Sequence, residues 1–88
     1  MAENGRPQPN ACVYTIGVVE RMTGLSARQI RYYEAKGLIT PKRSSGNQRL
    51  YSKEQIQTLK EVRALREEQL PLEAIAALLA KEAREDEV

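Results

Sequence analysis

The most constraining feature is a three-residue break, Gly24-Leu25-Ser26, between two short segments that each carry helix-forming signals. Upstream, Thr15 stands where an N-cap is preferred, and Ile16, Val19 and Met22 recur at steps of three, which puts them on one helical stripe. Gly24 then supplies the left-handed residue that ends a helix, and Leu25 can fold back on the stripe. Downstream, Ser26 and Gln29 form an S-x-x-Q capping box, and Gly37 provides the next stop. The spacing therefore predicts helices over 15–23 and 27–36. A link this short forces the two into a helix-turn-helix.

Residues 38–51 cannot continue the helical pattern. Pro41 interrupts it and Ser44-Ser45-Gly46-Asn47 is turn chemistry, so a small hairpin with a basic exposed tip is expected, flanked by Leu38-Ile39 and Leu50-Tyr51. Ser52 and Gln55 repeat the capping box. Ile56, Leu59, Val62 and Leu65 then give an apolar face to a third helix over 53–68. Pro71 opens a fourth helix, whose buried face is expected to be Leu72, Ile75, Ala76, Leu78 and Leu79, running to about Ala83 before the acidic end frays. With 88 residues there is room for one domain. The expected organisation is a flexible polar tail over 1–12, a domain over 13–83 and an acidic end over 84–88. The fold class is mainly α: a winged helix-turn-helix with a second helix pair packed behind it and a small β-hairpin wing. Phe and Trp are absent, so the core should come from Ile, Leu, Val, Ala and Met, with Ile30 and Leu38 the surest positions.

Charge segregation carries the functional reading. The formal net charge is only +2, yet Arg28, Arg31, Lys36, Lys42, Arg43 and Arg49 face a single acid, Glu34, within that stretch. A local basic surface is the footprint of a polyanion. In a helix-turn-helix the second helix enters the major groove and its N-terminal part meets base edges. Here that part offers Ser26, Ala27, Arg28, Gln29 and Arg31. Arg28 and Arg31 share a face, and an arginine fork matches the guanine edge. Gln29 can pair with adenine, and Ala27 is small enough to approach a thymine methyl. Ser26 can cap and also donate to a phosphate, and the helix N-terminus favours an anion. Tyr32 and Tyr33 can reach phosphate and sugar, but neighbours on a helix diverge by about 100°, so one of them must turn inward. Lys36, with Lys42, Arg43, Asn47 and Arg49 of the wing, is suited to backbone clamping. Lys60, Arg63 and Arg66, interleaved with Glu61, Glu67 and Glu68, read as a mixed-charge solvent face.

Other classes have less support. There is no His, and Cys12 is alone, so neither an enzyme, a metal centre nor any cofactor is expected. No apolar run approaches the ~20 residues of a membrane span and the start lacks a signal-peptide core, which makes the cytoplasm the expected location. The alternatives are a protein-interaction module using the apolar face of the fourth helix, and an architectural binder of duplex DNA without a preferred site.

The runs Tyr14-Thr15-Ile16-Gly17, Thr23-Gly24-Leu25-Ser26, Arg31-Tyr32-Tyr33-Glu34, Gly37-Leu38-Ile39 and Arg49-Leu50-Tyr51-Ser52 resemble the DNA-binding domain of MerR-family transcription regulators over about residues 13–80. Within the family, residues 26–34 and 43–51 look most like the nitrogen-control branch, that of the glutamine synthetase repressor. The resemblance implies a repressor of nitrogen-metabolism genes with glutamine synthetase as a second partner, the alternative being a MerR-like regulator of another pathway. The single short reading helix, which meets too few bases alone, predicts a homodimer on an inverted repeat. The resemblance also implies major-groove contacts from Arg28, Gln29 and Arg31, and phosphate or sugar contacts from Tyr33, Arg43, Asn47 and Arg49. The long dimerisation helix and metal-binding cysteines of other branches are not in this sequence.

Overall fold

The computed structural model describes residues 11–86. The elements, in chain order, are β1 (Cys12–Thr15), α1 (Ile16–Thr23), α2 (Ala27–Ala35), β2 (Lys42–Arg43), β3 (Arg49–Ser52), α3 (Lys53–Glu67) and α4 (Leu72–Asp86). The mainly helical winged helix-turn-helix is as expected, with one addition. The wing hairpin β2–β3 is extended by β1 into a three-stranded antiparallel sheet of order β1-β3-β2. Tyr14 pairs with Tyr51 and Thr15 with Leu50, with an irregular step between Cys12 and Tyr14. Cys12 thus belongs to the sheet rather than to the expected tail. Residues 1–10 of that tail lie outside the described residues, as do Glu87 and Val88 of the acidic end. The fourth helix continues past Ala83, with its backbone helical to Asp86.

Local chemistry accounts for each boundary. Thr15 occupies the N-cap of α1 in extended conformation, but its hydroxyl makes no capping bond. Gly24 closes α1 at φ +78° and donates to the Glu20 carbonyl at 2.9 Å. Both S-x-x-Q boxes form in full: Ser26 with Gln29 on α2, and Ser52 with Gln55 on α3. Past α2, Leu38 donates back to the Tyr33 carbonyl around Gly37 at φ +84°. The same reverse hydrogen bond, Leu70 to the Leu65 carbonyl, ends α3, but there the left-handed residue is Gln69, at φ +66°. An L side chain pays a steric penalty in that region.

The core is continuous through all layers: Val19, Leu25, Ile30, Tyr33, Ile39, Tyr51, Ile56, Leu59, Val62 and Ile75, with Tyr14, Ile16, Leu38, Leu65, Leu70, Leu72 and Leu79 packed against it. Two expectations about it change. Tyrosines belong to it: Tyr51 of the central strand β3 is fully buried, and Tyr33 is buried as well. Met22 and Leu78 do not. Both are about 40% exposed, at 40% and 41%, since the buried arc of α1 runs through Val19 and Thr23 and that of α4 through Ile75 and Leu79. No helix among the described residues is long and apolar enough to cross a membrane.

Candidate nucleic-acid interface

Helix α2 is held at its start, from behind the turn that precedes it, and at its far end. At its start, the Glu20 carboxylate of α1 accepts from the Ala27 amide at 2.8 Å, across the turn. Thr23, buried, donates its hydroxyl to the Val19 carbonyl at 2.7 Å and accepts from the Leu25 amide at 3.1 Å, which fixes the turn's first bend. From behind, Arg63 of α3 donates through Nη1 to the Thr23 carbonyl at 3.0 Å, and its guanidinium lies against Gly24. Its Nε also meets Glu67 at 3.3 Å. Arg63 therefore has a structural task that its alternation with acids conceals. At the far end, Arg49 of β3 donates from Nε to the Glu34 carboxylate at 2.7 Å, with both side chains mostly shielded. That ion pair ties the wing to α2.

The wing tip is built from its own backbone. Asn47 donates to the Ser44 carbonyl at 2.8 Å and Ser44 to the Gln48 carbonyl at 2.9 Å, while the Ser44 hydroxyl accepts from the Gly46 and Gln48 amides, each at 3.2 Å. The positive φ of +66° falls on Asn47 rather than Gly46, and asparagine tolerates it better than most residues do. Arg43 bridges the tip by donating to the Asn47 carbonyl at 3.1 Å.

The expected contact residues divide by this geometry. Arg28, Arg31 and Tyr32 are exposed on the outer face of α2, and Lys42, Arg43 and Asn47 are exposed on the wing. Lys36 is exposed as well, with its ammonium 5.5 Å from the Tyr32 ring centre. Tyr33 has its ring in the core at 6% exposure, edge-on to Tyr32, so the one of the pair that turns inward is Tyr33. Residues 30 and 33 face the same side of the helix, and Ile30 anchors that side. Arg49 is half-buried and ion-paired, a link between elements rather than a free clamp. Gln29 accepts from the Ser26 amide through Oε1 at 2.9 Å, so a two-point pair with adenine would require breaking the cap, and only Nε2 is left to donate. The Ser26 hydroxyl accepts from the Gln29 amide at 3.1 Å, and half-buried Ala27 has its amide engaged by Glu20.

Burial holds the Tyr51 hydroxyl above the ordinary tyrosine value, with Glu34 adding to the rise and Arg49, Arg31 and Arg43 opposing it. That hydroxyl has no hydrogen-bond partner among the described residues. On the opposite side, partial burial and then the facing Glu82 raise the Glu61 carboxyl. No group of metal-binding side chains occurs among the described residues.

A tight turn, a basic outer helix face and a wing tied to that helix define a winged helix-turn-helix of the DNA-binding regulator class. The chain belongs to the MerR HTH family of regulatory proteins, whose profile matches residues 14–82. It is 40% identical over 79 residues to the HTH-type transcriptional regulator GlnR of Bacillus anthracis, covering 90% of this chain and 59% of that protein. It is 48% identical over 56 residues to the HTH-type transcriptional regulator TnrA of Bacillus subtilis, covering 64% of this chain and 51% of that one. It thus spans somewhat over half of these relatives' lengths. Among solved structures, the transcription regulator PbrR691 from Ralstonia metallidurans, in complex with lead(II), superposes with a TM-score of 0.75 at 33% identity, over 82% of this chain and 57% of that one.

Proposed function

We propose that this chain is the sequence-reading head of a transcription regulator that binds duplex DNA as a homodimer on an inverted repeat and represses genes of nitrogen metabolism. The observation that carries DNA reading is the pairing of exposed Arg28 and Arg31 on the outer face of α2 with exposed Lys42 and Arg43 on a wing tied to that helix through Arg49 and Glu34. Arginines at this spacing suit guanine edges in the major groove, and the wing cations suit flanking phosphates. Tyr32, rather than Tyr33, supplies the aromatic contact to the backbone. Lys36 and Asn47 lie at the margins of the surface, and Gln29 contributes one donor.

Two-fold pairing follows from the reach of one short helix, which reads too few bases for useful discrimination. The nitrogen assignment, a repressing role, a cytoplasmic location and glutamine synthetase as a second partner are carried over from the similarity to GlnR and TnrA. Selection from random duplex DNA with this chain, followed by sedimentation on the recovered site, tests the reading. A palindromic consensus bound by two chains supports it. Recovery of no consensus, or a 1:1 complex at saturation, refutes it.

A further inference from the structure

The N-terminus of a helix pointed at DNA ordinarily attracts a phosphate, because its first amides lack intrahelical acceptors and carry the positive end of the helix dipole. In this protein that place is filled from within. Glu20 sits on α1, seven residues before Ala27, and its Oε2 accepts the Ala27 amide at 2.8 Å. Ser26 Oγ accepts the Gln29 amide at 3.1 Å, and Gln29 Oε1 takes the Ser26 amide at 2.9 Å. Of the first-turn amides of α2, only that of Arg28 has no partner among the described residues. The two capping-box bonds are neutral, but Glu20 brings a full negative charge to the site where a phosphate would dock. We propose that Glu20 is a specificity-determining residue: its carboxylate takes the place of a DNA phosphate at the start of the reading helix.

The consequence concerns the balance between kinds of binding. A phosphate captured by a helix end is bound whatever the base sequence, so it strengthens operator and random DNA alike. With that contact replaced by an internal carboxylate, more of the affinity must come from Arg28 and Arg31, which depend on the base opposite. Glu20 also repels backbone phosphates that approach the turn out of register. This inference rests on the DNA-reading role proposed above.

The test compares the 88-residue chain with Glu20→Gln and Glu20→Asp on a random-sequence duplex and on a duplex selected by the chain, over a range of salt. Glutamine can still accept the Ala27 amide but carries no charge. Removing one nearby like charge should tighten random-duplex binding about three- to tenfold at low salt. The salt dependence should steepen by about one phosphate's worth, ~0.9 in log–log slope. The ratio between selected and random duplex should narrow, and Glu20→Asp should stay with the wild type. Unchanged random-duplex affinity and slope for Glu20→Gln, or equal weakening on both duplexes, overturns the proposal. Glu20→Met, which keeps the side-chain length without charge or acceptor, guards against a local defect of the first variant; if neither variant folds by circular dichroism, Glu20 is structural only and the proposal fails. Should the wild type bind both duplexes equally, base reading by Arg28 and Arg31 is refuted, while the random-duplex comparison still decides the role of Glu20.

Discussion

Replacing Gly24 with alanine tests the turn that sets the reading helix. Two separable penalties arise. Gly24 adopts φ +78°, and an L residue in the left-handed region costs about 1–2 kcal/mol. A Cβ added at Gly24 would also lie 2.5 Å from Arg63 Nη1 and 3.1 Å from its Cζ. Arg63 must then leave its seat, breaking its 3.0 Å bond to the Thr23 carbonyl. A hydrogen bond to a charged donor contributes about 1.5–3 kcal/mol, and partial exposure of Arg63 argues for the lower end or less, about 1 kcal/mol. Gly24→Ala should therefore lose about 2–3 kcal/mol, a large share of the roughly 4–13 kcal/mol expected for a domain of this length. Urea denaturation of the wild type, Gly24→Ala, Arg63→Ala and the double variant forms a cycle. With Arg63 absent, Gly24→Ala should cost only the backbone penalty, so the two changes together should cost about 1 kcal/mol less than their sum. Strict additivity would refute the seating of Arg63 on the turn. A cost below about 0.5 kcal/mol for Gly24→Ala would refute the left-handed requirement itself.

Other expected outcomes follow from the same contacts. Tyr51→Phe removes a buried hydroxyl with no hydrogen-bond partner among the described residues and should leave stability unchanged or raise it by up to ~1 kcal/mol in thermal unfolding. Because burial raises the folded-state value of that hydroxyl, the unfolded chain gives up its proton first. Wild-type stability should then fall as pH rises through about 10 toward the folded value, and the Phe variant should lose less over that window; identical alkaline profiles would contradict this. Gln69→Gly relieves the left-handed residue after α3 and should stabilise by about 0.5–1 kcal/mol by urea midpoint. Arg28→Ala should cost ~1–3 kcal/mol and relax preference at one base pair, whereas Lys42→Ala should weaken all duplexes alike and flatten the salt slope; indistinguishable salt titrations would refute that division of roles. Tyr32→Ala should weaken DNA binding with little loss of fold, and Tyr33→Ala should cost about 3–5 kcal/mol of stability in denaturation, as large core truncations do.

Much of the architecture is legible in the linear sequence because it depends on contacts between near neighbours. Both capping boxes join residues three positions apart, and the stops at Gly24 and Gly37 need only a backbone that tolerates positive φ. The i, i+3 apolar steps of α3 report its buried face directly, and they place Ile56, Leu59 and Val62 in the core. The density of cations from Arg28 to Arg49 marks the basic surface without any coordinates.

What escapes such a reading is whatever depends on residues distant in the chain. β1 exists only because β3 offers it an edge, so a four-residue strand next to a helix start gave no local sign of itself. Tyr32 and Tyr33 are chemically the same, and only the direction of the core relative to α2 decides which is buried and which faces out. Arg63 looks like one cation in a mixed-charge helix until α3 packs behind the turn, 40 residues away in sequence from the carbonyl it holds. Arg49 is a clamp in sequence and a brace in three dimensions, since the hairpin returns it to Glu34. Short-range hydrogen bonds and periodicity are written residue by residue. Burial direction and ion pairing are properties of the assembled layers, and it is these that separate the exposed basic face from the residues that hold it in place.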